Sequence, residues 1–171
     1  MQARRFEIFR RGLRELGYVE GKNILVEYRF ADGKVDRLPQ LAAELVDLKV
    51  NVIVTAGPSV TGPVKQATST IPIVMAQDAD PVGNGFVASL ARPGGNITGL
   101  SSYSAELNGK RLELLKEIIP RLSRVAILAT SNNPGNSQSV KDTELAADQL
   151  GVKVQYLEIR YPKDIEAALK T

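Results

Sequence analysis

An α/β fold with parallel strands is predicted by two features of this 171-residue sequence. Short apolar runs alternate with longer segments whose apolar residues recur at helical spacing, in the order helix, strand, helix, strand. The runs "VNVIVT" and "IPIVMA" are nearly continuous rather than alternating. That is the pattern of strands covered on both faces by crossover helices.

Phe6, Phe9, Leu13 and Leu16 share one helical face, and Gly17 is the stop signal. Ile24 to Phe30 follows the Gly21-Lys22-Asn23 turn and reads as a strand near an edge, with Glu27 and Arg29 on one face. Asp36 is placed to cap a helix carrying Leu38, Leu41, Ala42, Leu45 and Leu48, with Pro39 in its first turn. Val50 to Thr55 is a strand. A weak helix, Val60 to Thr68, is interrupted by Gly62-Pro63, and Ile71 to Ala76 is a second buried strand. The rhythm then breaks at the turn Arg92-Pro93-Gly94-Gly95-Asn96. No helix start follows that turn; Ile97 to Leu100 reads as a short strand instead. Beyond it Ser104 caps a helix to Ile119, Val125 to Ala129 is a strand, and Thr130 to Ser139 is a polar loop. A helix with Val140, Thr143, Ala147 and Leu150 on one face ends at Gly151. Val152 to Ile159 is a strand, and Pro162 to Lys170 begins a helix.

The first helix has no strand before it, the last has none after it, and the second half holds only two strands. A sheet that buries both faces needs more. The expectation is a fragment or reduced relative of a longer chain: one near-complete lobe over 1–100, lacking its first strand, and the start of a second over 101–171.

With no Cys and no His, thiol nucleophiles, disulfides, His-based triads and ordinary zinc sites are excluded. The net charge of +3 is mild. Arg4, Arg5, Arg10, Arg11 and Arg14 sit in the first segment, a local rather than a global bias, so a solvated helix face is expected rather than a nucleic-acid surface. No secretory signal is read at the start, because these arginines interrupt any apolar core. No Walker A or complete Gly-x-Gly-x-x-Gly pattern occurs.

In open α/β sheets ligands gather outside the carboxyl ends of the strands. That rule selects three loops. In the first, Gly57 and Pro58 shape a turn and Ser59 offers a hydroxyl beside a helix start, which suits an anion such as a carboxylate. In the second, Asp78 and Asp80 follow a buried strand. Asp78-x-Asp80-x-Val82 superficially matches the Asp-x-Asp element of magnesium-dependent phosphotransferases, whose first Asp is the nucleophile. Their bland alternatives are an amine contact or a cap by Asp80. In the third, Asn132, Asn133, Asn136 and Ser137 crowd a loop that could bind a small polar ligand or simply turn the chain.

Three stretches carry a resemblance: residues 9–57, residues 65–102 and residues 109–128, with Asp80-Pro81-Val82-Gly83 through Gly99 the most specific. The chain resembles the ABC-transporter substrate-binding proteins of the type I periplasmic-binding fold, the group that includes binders of tryptophan and other aromatic amino acids. The resemblance implies two α/β lobes that close by hinge motion on a small solute, with no cofactor. It further implies a permease partner and a periplasmic or extracytoplasmic location. Gly57, Pro58, Ser59, Asp78 and Asp80 would then line the first lobe's side of the cleft. Asn132, Asn133, Asn136 and Ser137 would line the second lobe's side, and Thr98, Gly99, Leu100 and Ser101 would form the hinge. The family's leader, first strand and C-terminal part are missing from this expectation. The alternatives are a phosphotransferase on Asp78 and Asp80, or a truncated fragment that binds nothing and self-associates through unfinished sheet edges.

Overall fold

The computed structural model describes residues 2–102, 107–129, 134–159 and 164–170. The chain divides into two compact units, Met1–Asp32 and Gly33–Thr171.

In the first unit, helix α1 spans Gln2–Glu15. Tyr18 N–H donates to the Leu13 carbonyl at 2.9 Å and Gly17 N–H to that of Arg14 at 2.9 Å. These two bonds make a Schellman ending, at the glycine expected to stop the helix. The arginine face is solvated: Arg10 pairs with Glu20 at 2.9 Å and Glu7 at 3.6 Å, and Arg11 with Glu15 at 3.5 Å. Exposed pairs of this kind contribute about 1 kcal/mol or less. The expected strand Ile24 to Phe30 forms no ladder, only an isolated bridge between Glu20 and Ile24. Side chains hold the segment instead. Tyr28 and Phe30 stack at 6.1 Å, and Phe6 meets both edge-on at 5.7 and 5.1 Å. Apolar patterning makes the chain extended, but a ladder also needs a neighbouring strand, and this unit describes none.

In the second unit a 3-10 turn, Val35–Arg37, leads into α2, Leu38–Asp47. Asp36 lies in that turn and does not cap the helix; no side-chain bond caps α2, and Pro at its start presets the backbone. Strand β1 (Ile53–Ala56), helix α3 (Pro58–Ala67), strand β2 (Ile73–Asp78) and strand β3 (Ile97–Ser101) follow. The three strands are parallel in the order β1-β2-β3. Their core is Ala42, Ile53, Val64, Ile73, Met75 and Ile97, closed by Val87. Helix α2 covers this core through Ala42, with Leu45 and Val46 packed against it, and α3 through Val64 with Ala67.

Two expectations fail here. β1 and β2 are not covered on both faces: Val54 is 46% and Leu100 on β3 68% exposed. Valine-rich runs report high strand propensity as well as burial, and only the face carrying Ile53, Ile73, Met75 and Ile97 is packed. Helix α3 is stronger than expected. It begins at Pro58 and runs through Pro63. Pro63 removes one helical N–H, but buried Thr61 and Val64 hold the turn around it.

Helix α4 (Leu107–Ile118), strand β4 (Arg124–Ala129), helix α5 (Pro134–Leu150), strand β5 (Lys153–Glu158) and helix α6 (Asp164–Ala168) complete the unit. β4 and β5 pair in parallel in unbroken register from Arg124 with Lys153 to Ala129 with Glu158. Leu112, Ala147 and Val152 form a second core. α5 starts inside the stretch expected to be loop, with Pro134 at its first position, where a missing N–H costs nothing.

Candidate functional site

β1 ends at Ala56, and Gly57 turns the chain with φ 97° and ψ 154°. That backbone is open to glycine and strained for any residue with a Cβ. Its N–H donates to the Gln77 carbonyl at 2.9 Å. Its carbonyl accepts from Val60 and Thr61 N–H at 3.2 and 3.1 Å and from the Thr61 hydroxyl at 3.1 Å. The Thr61 hydroxyl also meets that of Thr55 on β1 at 2.9 Å, with both residues buried. The turn is therefore tied to β1, to β2 and to its own helix. Pro58 and Ser59 occupy the first two positions of α3, with no side chain capping the helix end. Such an end carries a partial positive charge.

Asp78 ends β2 and is 0% exposed. Its Oδ1 accepts from Asp80 N–H at 3.2 Å and from Asn84 Nδ2 at 3.1 Å. Its buried Oδ2 has no hydrogen-bond partner. Burial pushes the carboxyl above the ordinary aspartate range; the bonds from Asp80 and Asn84 pull it back only in part, and the nearby Asp80 charge pushes the same way as burial. The Asp78 carbonyl accepts from Ser102 N–H at 2.8 Å and the Ser102 hydroxyl at 3.3 Å. Asp80 shapes the next turn: its Oδ1 accepts from Gly83 N–H at 2.8 Å and its carbonyl from Asn84 N–H at 2.9 Å. The Lys65 ammonium reaches from α3 to the Gly85 carbonyl and fastens the far side of that loop.

Because β1 and β2 are parallel neighbours, the Gly57–Ser59 and Asp78–Asp80 loops leave the same end of one sheet side by side. Thr98, Gly99, Leu100 and Ser101 lie in β3, where Gly99 pairs with Met75 and Ser101 with Asp78. Asn136 and Ser137 stand in the first turn of α5, beyond the end of β4 in the other sheet, and α5 touches α3. Asn132 and Asn133 lie outside the described residues.

The geometry does not suit Asp78 as a phosphoryl nucleophile. Its carboxyl is closed to solvent and biased toward the neutral acid, whereas that chemistry needs an exposed carboxylate. The described residues also contain no group of three acidic side chains that could hold a metal ion. No described helix is long and apolar enough to cross a membrane.

Several supporting residues escaped sequence reasoning. Asn84 holds the Asp78 carboxyl from six residues away, and Ser102 grips its carbonyl from just beyond the end of β3. Asn96 Nδ2 donates to the Ile71 carbonyl at 2.8 Å, stitching the end of the Arg-Pro-Gly-Gly turn to the start of β2. Polar residues next to Gly and Pro were the available signal, but they mark turns in general and not their partners.

Comparison with known proteins places this geometry in a family. Residues 4–171 match the family model described as ABC transporter substrate binding protein. A tyrosine-binding protein of Clostridioides difficile is 32% identical over 120 residues, which are 70% of this chain and 34% of that protein. Among solved structures, a conserved domain protein from Vibrio cholerae is 31% identical with a TM-score of 0.84, over 93% of this chain and 53% of the other. A domain from Streptococcus pneumonia in complex with L-Trp is 24% identical with a TM-score of 0.79, over 93% and 53% of the two chains. The chain thus spans about a third of the length of the curated relative and about half that of these structures.

Proposed function

Because the chain belongs to the ABC transporter substrate binding protein family, we propose that it serves as the solute-binding component of an ABC importer, outside the cytoplasm and alongside a permease. The solute is a small molecule with a carboxylate, an aromatic amino acid being the first candidate. One relative is a tyrosine-binding protein and a solved neighbour holds L-Trp. The observation that carries this reading is the pairing of two loops at one sheet end, Gly57–Ser59 at an uncapped helix start and Asp78–Asp80 beside it. The helix start meets the carboxylate and the carbonyl-rich Asp80 loop meets the amine.

In this reading residues 1–100 belong to one lobe and 101–171 begin the other. Asn132, Asn133, Asn136 and Ser137 contribute the opposite wall, and Thr98–Ser101 act as the hinge on which the lobes close. The test is thermal melting and calorimetry of the longest natural form of the chain against tyrosine, tryptophan, phenylalanine, leucine and simple aromatic acids. A ligand at a hundred times its Kd stabilises by about 2.7 kcal/mol. The expected result is such a shift with at least one aromatic amino acid, reduced when Ser59 is replaced by Ala. No shift across the panel overturns the proposal.

A further inference from the structure

Asp78 differs from every other acid near the site in how it is held. It is fully buried, and the hydrogen bonds from Asp80 N–H and Asn84 Nδ2 both go to one oxygen, with the Ala79 N–H also close to the carboxyl. The other oxygen is buried and has no partner. A carboxylate spreads its charge over two oxygens and would draw donors to both. Burying an oxygen with no donor costs more for a carboxylate than for a neutral acid, so the geometry favours the neutral form, with Oδ1 as the carbonyl and Oδ2 carrying the proton. The charged groups around it fit. Asp80 is a like charge two residues away. The neighbouring elements contribute the uncharged Gly57 turn at the end of β1, and Ser101 and Ser102 at the end of β3. Lys65 on α3 is directed to the Gly85 carbonyl and not to the carboxyl.

We propose that Asp78 is a proton-dependent latch: as the neutral acid it pins the Ala79–Gly85 loop to the joined ends of β2 and β3, and on losing its proton it releases that loop. An ionised carboxyl in this position must be solvated, because burying an unpaired charge costs several kcal/mol. The way to solvate it is to open the loop whose N–H groups cover it. The backbone bond from Ser102 to the Asp78 carbonyl carries the effect to the end of β3, where the chain leaves the first sheet. The inference does not depend on what binds the site.

Hydrogen exchange of the chain without ligand tests it, with wild type and Asp78→Asn compared at the same pH so that intrinsic exchange rates cancel. Asn84, Phe86 and Val87 donate their N–H groups within the loop turn. Above the titration point, the wild-type protection of these amides should fall about tenfold per pH unit relative to the variant. Equal protection in both chains at mildly acid and mildly alkaline pH overturns the latch. Should the variant not fold, infrared spectra of the wild-type chain with isotope-labelled aspartate decide. A protonated carboxyl band that persists above the pH at which an unfolded-chain aspartate titrates, and disappears as pH rises further, supports the proposal; its absence above that pH overturns it.

Discussion

Gly99 shows how much a single atom decides here. Its φ is 146°, and a Cβ at this position would lie 2.2 Å from the Met75 carbonyl oxygen and 2.6 Å from the Met75 nitrogen. Both are backbone atoms of the neighbouring strand, so no side chain can swing away to make room. Replacing Gly99 with Ala must push β3 off β2 or twist the strand, and should cost about 3 kcal/mol. Gly95 is the control, since nothing lies within 4 Å of its Cβ position; Gly95→Ala should change stability by no more than about 0.5 kcal/mol. Urea unfolding of the two variants measures both, and equal midpoints would refute the close-approach argument. That Gly99 sits in a strand after a Pro-Gly turn was readable from sequence. Its contact with Met75 was not, because the approach of two backbones depends on sheet register and leaves no mark in the residues themselves.

The junction of β1 with α3 is held by a pair of hydroxyls. Thr55 and Thr61 are both buried, share a 2.9 Å hydrogen bond, and Thr61 also donates to the Gly57 carbonyl. Thr61→Val keeps the shape but strands the Thr55 hydroxyl, at a cost of about 1–3 kcal/mol. Thr55→Val in the same chain removes that stranded group, so the double variant should be more stable than Thr61→Val alone. A double-mutant cycle from urea melts gives the coupling, and strictly additive effects would rule out a shared bond. At this scale most strands and helices were legible, because periodicity reports the packed faces of α2 and α5 directly. The exceptions have physical causes. Ile24 to Phe30 has strand-like residues, but its aromatic side chains pack on Phe6 and it has no strand partner among the described residues. The start of α5 at Pro134 was masked by Asn, Gly and Ser, which are weak helix formers that nevertheless fit a first turn. The candidate loops were found because strand ends are easy to locate. Their internal bonds, such as Asn84 to Asp78, were not, because they depend on the shape of the turn between them.

For the whole molecule, the buried acid makes stability depend on pH with a definite sign. An aspartate in the unfolded chain titrates near about 3.9, and burial raises Asp78 above that in the fold. Between these two values the folded chain keeps a proton that the unfolded chain has lost. Stability therefore falls as pH rises through that window and levels off above the folded titration point. This is opposite to the trend from a carboxylate stabilised by a cation, whose contribution is lost as pH falls. The surface pairs of α1 add little against it, because exposed ion pairs are weak and screened. Asp78→Asn cannot titrate, so its melting temperature should lose the part of the acid-to-neutral decline that the parent chain shows. Melting both chains at intervals from about pH 4 to about pH 8 measures the difference. Two curves that stay parallel throughout would mean that Asp78 binds its proton no more tightly in the fold than out of it, and the buried carboxyl would then have to be solvated by some route other than opening its loop.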